Sequence, residues 1–253
     1  IVMNEAGSFN GNRIYVGDFL GGNPEYAGQS QHNFKITDYT TNEEDGYQIV
    51  NDIDEYNALI AKVDSTFKRQ NSSYGTEYAQ SLEYCYNLLN KTKADGNKQF
   101  CVFMSDGIPN VFQYGESSKY ESTKNLAEMF TGTNYNTRSA KYHYEYHSTR
   151  MKANGVTVFS VGLGLQSTNS AWSGVSATAC LNAASLMLND ISGPAGETEP
   201  DTGTTLSKKD EYFFSVADAN AAADMENVFS SIAQKILETG RISRGGNDQN
   251  IPD

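Results

Sequence analysis

Two short apolar runs constrain this chain more than any other feature: Gln99-Phe100-Cys101-Val102-Phe103-Met104 and Val156-Thr157-Val158-Phe159-Ser160-Val161-Gly162. A strand with one face in water alternates apolar and polar residues, so a run without that alternation is one covered on both faces. The first run follows a segment whose Ala79, Leu82, Cys85, Tyr86 and Leu89 fall at helical spacing, and Asp95-Gly96-Asn97 separates the two. The second follows a helix predicted over 137–153 and stopped by Asn154-Gly155. Buried strands reached through amphipathic helices predict an α/β fold: a doubly wound, mostly parallel open sheet with helices on both faces.

The rest of the chain fits around that centre. Residues 12–19 alternate and read as a strand closed by Gly21-Gly22, with another strand at 34–39. The acidic stretch 42–55 leads into a helix with Ile53, Tyr56, Leu59, Ile60 and Val63 on its apolar face, and 71–75 is turn material. A polar insertion covers 109–136, with a helix near 120–130. Beyond the second buried run come a loop at 165–176, a short helix at 177–188, Gly, Pro and Thr punctuation at 190–209, and a strand at 212–216. The closing helix is predicted over 218–237, with Met225, Val228, Phe229, Ile232 and Ile236 inward. Residues 1–240 form one domain in this reading, and 241–253, which lack an apolar face, form a linker or tail.

Of the 253 residues, 38% are hydrophobic and 20% charged, enough apolar material for a core and too much for a disordered chain. A formal net charge of −12 makes nucleic acid and anionic membrane surfaces poor partners. No apolar run approaches the roughly 18–20 residues of a membrane helix, and residues 1–15 lack the pattern of a signal peptide. The three cysteines, Cys85, Cys101 and Cys180, show no C-x-x-C spacing. Cys85 and Cys101 lie in apolar stretches and read as small buried thiols. Sixteen tyrosines and many Asn, Ser, Thr and Gly residues suit an extracellular surface.

In open parallel sheets ligands gather beyond the carboxyl ends of the strands. Asp106 stands there, directly after the first buried run, with Gly107 allowing the chain to turn away; the plain alternative is an ordinary Asp-Gly turn. Gly75-Thr76 opens the helix before the same strand, where a hydroxyl serves either as a cap or as a ligand. Helix and strand bring Thr76 and Asp106 to one edge of the sheet.

These segments resemble the von Willebrand factor type A family. NSSYGTEYAQSLEYCYNLL (71–89) and QFCVFMSDGIPN (99–110) are similar to its two later metal-site segments, NGVTVFSVGLG (154–164) to its next strand, and YFFSVADANAAADMENVFSSIAQKI (212–236) to its closing strand and helix. The resemblance covers about 12–237, with insertions at 20–50, 109–136 and 165–210. It implies a non-enzymatic adhesion or protein-binding module of the kind found in bacterial surface proteins and pilus-tip adhesins, extracellular or at the cell surface. It further implies a Mg²⁺ or Mn²⁺ ion held by an Asp-x-Ser-x-Ser loop, by a threonine, here Thr76, and by a second aspartate, here Asp106. An acidic side chain of a protein partner completes the octahedron, with Ser73, Gly75, Gly107 and Asn110 as ligand contacts.

The chain departs from the family in one respect: no intact Asp-x-Ser-x-Ser occurs near its amino terminus. On one reading, 12–19 is the family's second strand and the central strand lies upstream, which leaves the sheet without its first central strand. On the other, residues 1–3 are the remnant of that strand and Asn4-Glu5-Ala6-Gly7-Ser8 is a degraded loop with Ser8 as its one remaining ligand. The first fits better, because few helical residues separate Gly11 from Gly21.

Two rival signals are weaker. His143 and His147 stand at i and i+4, as zinc requires, and a zinc-dependent hydrolase would use them. Glu145 is not placed as a metalloprotease base, however, and a solvated helix face is the plainer reading. Residues 41–52 faintly resemble a calcium loop through Glu43, Asp45, Gly46 and Asp52, but an acidic solvated loop explains them. A metal-independent structural interaction domain is the remaining alternative.

Overall fold

The computed structural model describes residues 12–20, 35–38, 48–66, 78–91, 98–106, 111–113, 120–122, 146–165, 177–198, 205–216 and 221–244. They form a mixed α/β arrangement that divides into two compact units. One comprises residues 1–17, 38–69 and 225–253, the other 18–37 and 70–224.

The larger unit holds a three-stranded parallel sheet. Its strands are β5 (Gln99–Ser105), β8 (Val156–Leu163) and β9 (Phe213–Val216), in the spatial order β5-β8-β9. Both apolar runs of the sequence are therefore strands, and they are neighbours. Cys101 pairs with Val158, Phe103 with Ser160 and Ser105 with Gly162. Strand β8 is buried from Val156 to Gly162, as the absence of alternation requires, but β5 is not covered on both faces as expected: Cys101, Phe103 and Ser105 are buried while Val102 between them is exposed.

Helices α2 (Tyr78–Lys91), α3 (Tyr146–Ala153) and α4 (Ala177–Ile191) gather on this sheet. Tyr78 and Leu82 of α2, Met151 of α3, and Ala184, Met187, Leu188 and Ile191 of α4 join Cys101, Phe103, Val156, Val158 and Phe213 in one core, with Cys85, Tyr86 and Leu89 against its margin. The apolar stripe of α2 thus faces the sheet, as its spacing predicts. Helix α3 ends at the expected stop: Gly155 adopts φ 91° and its N–H donates to the Lys152 carbonyl at 2.9 Å. Only a residue tolerant of the left-handed region closes a helix in this way.

The smaller unit contains β1 (Asn12–Ile14) paired antiparallel with β4 (Gln48–Val50), then α1 (Ile53–Thr66). Helix α1 is capped by Asp52, whose Oδ1 accepts from the N–H groups of Asp54 at 3.0 Å and Glu55 at 2.9 Å. Glu55 reaches back to the N–H of Asn51 at 2.7 Å, a reciprocal cap. Val50 and Leu59 form the buried centre, with Ile14, Tyr56 and Val63 against them. Helix α5 (Ala221–Arg244) lies mostly in this unit and runs past the expected end at residue 237.

Several expectations need correction. Residues 12–19 form two short strands, β1 and β2 (Gly17–Leu20), because the first pairs with β4 and the second with β3 (Lys35–Asp38). Strand β4 occupies part of the acidic stretch 42–55, for which the sequence predicts only a lead into a helix. Where a helix is expected near 120–130, Tyr120–Ser122 is strand β7, paired antiparallel with β6 (Val111–Gln113); residues 123–130 lie outside the described residues. On α1, Ile53 and Ile60 are exposed, and on α5 Phe229 is exposed while Ile232 is buried.

Candidate functional site

The parallel register decides which residues finish level. Ser105 lies opposite Gly162, and Leu163 opposite Val216, so β5, β8 and β9 deliver their carboxyl ends to one edge of the sheet. Asp106 is the first residue beyond β5, and it is exposed. Beyond β8 the chain folds over: the Gly164 N–H donates to the Val216 carbonyl at 2.8 Å, and Leu165 is buried. A Cβ at Gly162 would run into Leu165 Cδ1 and lie 3.2 Å from Leu188 Cδ1, so glycine leaves the room that Leu165 fills. The result is a rim sealed from below by apolar side chains and carrying a carboxylate in solvent.

Helix α2 begins at the same rim. Tyr78 is 2% exposed, stands edge-on to Phe103 with ring centroids 5.2 Å apart, and is hydrogen-bonded through its phenol to the Ser105 side chain. Burial pushes the phenol pKa well up, the Ser105 hydrogen bond opposes that, and the charge of Asp106 adds to the rise. Asp106 is thus close enough for its field to reach the first described residue of α2. Sequence reasoning did not single out Tyr78 or Ser105, since nothing in a lone Tyr or Ser reports that the other lies against it.

A magnesium-sized cation needs about six oxygen donors. Of the residues assigned to such a site, the described structure contains Asp106. Thr76, Ser8, Ser73, Gly75, Gly107 and Asn110 lie outside the described residues. Among the described residues no group of three or more His, Cys, Asp and Glu side chains converges as a metal cluster, and Ser105 is engaged with Tyr78. Asp106 alone is an incomplete donor set.

No protein-family model and no curated protein matches the chain. Among solved structures, the pilus adhesin SpaC from Lactobacillus rhamnosus GG, in its open conformation, is similar with a TM-score of 0.48 and 12% sequence identity. The match covers 89% of this chain and 25% of that one, so the chain spans about a quarter of the adhesin's length.

The histidine signal resolves differently from the solvated face predicted for it. His147 is half-buried on α3, 4.9 Å from the Tyr146 ring and 6.2 Å from the Tyr86 ring, centroid to centroid. Its Nδ1 has no hydrogen-bond partner among the described residues. Burial, and then the Arg150 guanidinium, lower its pKa from 6.5 to about 4. Arg150 itself lies 4.1 Å from the Tyr86 ring centroid and donates to the Tyr86 hydroxyl at 2.9 Å. A zinc ion at His147 would meet that cation; His143 and Glu145 lie outside the described residues. The faint calcium loop fares no better at its described end, since Asp52 serves as the cap of α1.

A second polar locus was not anticipated. Lys152 of α3 is fully buried, and its Nζ donates to the carbonyls of Asp190 at 3.0 Å and Ser192 at 3.1 Å and to the Glu197 carboxylate. Lys208 shares that carboxylate. Burial, followed by the charge of Lys208, lowers the Lys152 pKa from 10.5 to about 8, and Glu197 pulls it back up. The cluster ties the segments around Ser192 and Lys208 to the end of α3, which is a structural role.

Proposed function

We propose that this chain is an adhesion module, a non-enzymatic protein-binding domain of the von Willebrand factor A type that works outside the cell or at its surface. The domain spans 1–240 with helices on both faces of its sheet, and 241–253 is a linker. Its binding surface is the rim beyond β5, where Thr76 and Asp106 hold Mg²⁺ or Mn²⁺ and an acidic side chain of the partner completes the coordination. Ser73, Gly75, Gly107 and Asn110 frame the contact.

The observation that carries this reading is the position of Asp106: exposed, one residue past a parallel strand, with the start of α2 beside it. Thr76 is separated from Tyr78 by at most about 7 Å of extended chain, which favours a shared rim. Charge supplies a second argument. A protein of formal net charge −12 repels an acidic partner at long range, so a positive intermediary favours recognition of a carboxylate. The cation supplies that charge, and Asp106 anchors it directly or through water.

The test uses beads coated with the chain, captured on surfaces bearing a panel of extracellular proteins in Mg²⁺ and in EDTA, with Mn²⁺ binding measured by calorimetry in parallel. Capture in Mg²⁺ that EDTA abolishes, together with loss of both capture and Mn²⁺ binding in Asp106→Ala, is the expected result. Capture by Asp106→Ala at wild-type strength in both media would overturn the cation's role and leave a metal-independent interaction domain. Absence of capture on every protein surface would overturn the adhesion reading.

A further inference from the structure

Helix α2 lies along β5 in opposite sense, and contacts near its two ends fix the alignment. At one end Tyr78 packs on Phe103, with ring centroids 5.2 Å apart. At the other the Gln99 side chain donates to the Leu89 carbonyl at 2.7 Å. From Tyr78 to Leu89 the helix rises about 16 Å, and from Phe103 back to Gln99 the strand spans about 13 Å. Cys85 lies about 10 Å along the helix from Tyr78 and Cys101 about 7 Å along the strand from Phe103, which sets the two within about 4 Å of level. It shares the inward face with Tyr78, Leu82 and Leu89 through helical spacing, and Cys101 shares the face of Phe103 through the two-residue period of a strand. Cys101 belongs to the core and Cys85 packs at its margin; both are free thiols.

We propose that Cys85 and Cys101 are a cross-linking pair: a dithiol that a disulfide oxidant such as oxidised glutathione closes into a bond stapling α2 to β5. This goes beyond the adhesion reading and does not depend on it. The two thiols differ in a way that orders the reaction. Cys85 is half-buried, whereas Cys101 is 7% exposed, so the oxidant meets Cys85 first. A hydrogen bond between the thiols lowers the pKa of Cys85, and the same bond with burial raises that of Cys101. The Cys85 thiolate attacks one sulfur of the oxidant, forming a mixed disulfide and expelling one thiolate. Cys101 then loses its proton and attacks the Cys85 sulfur, expelling the second. The protein gives up two electrons and two protons, and the oxidant leaves as two thiols.

The test compares the whole chain after exposure to oxidised glutathione and after reduction, with alkylation of remaining thiols in denaturant and peptide mapping. The third cysteine, Cys180, belongs to α4 and is removed in a Cys180→Ala background as a control. Expected are a peptide joining Cys85 to Cys101, loss of both alkylations in wild type and in Cys180→Ala, and a melting temperature raised by roughly 5–10 °C that reduction reverses. Cys85→Ser should show no such rise. The proposal is overturned if both cysteines remain alkylatable after oxidation, if Cys85 stops as a mixed disulfide while Cys101 stays alkylatable, or if the linked peptide contains Cys180.

Discussion

Replacing Glu197 with glutamine keeps the side chain's shape and removes the negative charge that two lysines share. Lys208 Nζ donates to Glu197 Oε2 at 2.9 Å and pairs with Oε1 at 2.8 Å, while Lys152 donates to Oε2. The side chain of Lys152 is 0% exposed, that of Lys208 10% and that of Glu197 20%, so little solvent is available to take over the carboxylate's role. Removing one partner from a buried pair costs about 3–5 kcal/mol, because the remaining charge is stranded. The backbone carbonyls of Asp190 and Ser192 soften that loss, which favours a value of about 3 kcal/mol at pH 7. The cost must also depend on pH. With its pKa lowered from 10.5 to about 8, Lys152 has largely shed its proton by about pH 9, and Glu197 then serves mainly Lys208, so the difference should shrink to about 1–2 kcal/mol. In the wild type the unfolded chain holds that proton between about pH 8 and 10.5 while the folded chain does not, so Lys152 makes stability rise with pH across that window. Urea unfolding at pH 7 and pH 9, with unchanged m-values, measures both effects. A variant within about 0.5 kcal/mol of wild type at pH 7, or an equal loss at both pH values, would refute the cluster's assigned role.

Gly155→Ala should destabilise by about 1–2 kcal/mol from backbone strain, since φ is 91° and nothing lies within 4 Å of the added Cβ; a shift in urea midpoint at constant m checks it, and no shift would contradict it. His147 should titrate with a midpoint near 4 by NMR of its ring protons, and a midpoint near 6.5 would contradict its burial. Since the unfolded chain takes up that proton first as pH falls from 6.5 toward 4, the stability contributed by its neutral form is present above pH 6.5 and lost through that window.

The parts of the fold legible in the sequence are those where burial leaves a pattern. Strand β8 announces itself because cover on both faces removes alternation, and α2 because one face carries Leu82, Cys85 and Leu89; β5 is legible as an apolar run, but that run overstates its cover, since Val102 is 39% exposed between the buried Cys101 and Phe103. Asn154-Gly155 was legible because a left-handed residue is a local requirement that few side chains meet. Alternation across residues 12–19 reports which side of a strand is covered and nothing about which partner pairs with it, so the division between β1 and β2 was hidden. Strands β4, β6 and β7 have three residues each, less than two full periods of alternation. Phe229 occupies an apolar helical position yet is 41% exposed, because periodicity fixes a direction and not how far the cover extends.

At the polar loci the contrast is between charges that a fold must anchor and charges that it can spare. A lysine in the last turn of a helix reads as a solvated charge favoured by the helix dipole, yet Lys152 is buried and held by Glu197, which lies in a stretch that looks like mere punctuation. An ion pair between such distant positions leaves no periodic trace. Asp106 is the reverse: its place at a strand end was legible, and its carboxylate lies in solvent, where removing it leaves no buried ion stranded. Glu197→Gln should therefore lower stability, whereas Asp106→Ala should unfold at nearly the wild-type urea concentration. If Asp106→Ala proved as destabilising as Glu197→Gln, its carboxylate would have to be counted among the anchors, and the rim would lose its claim as a surface available to a partner.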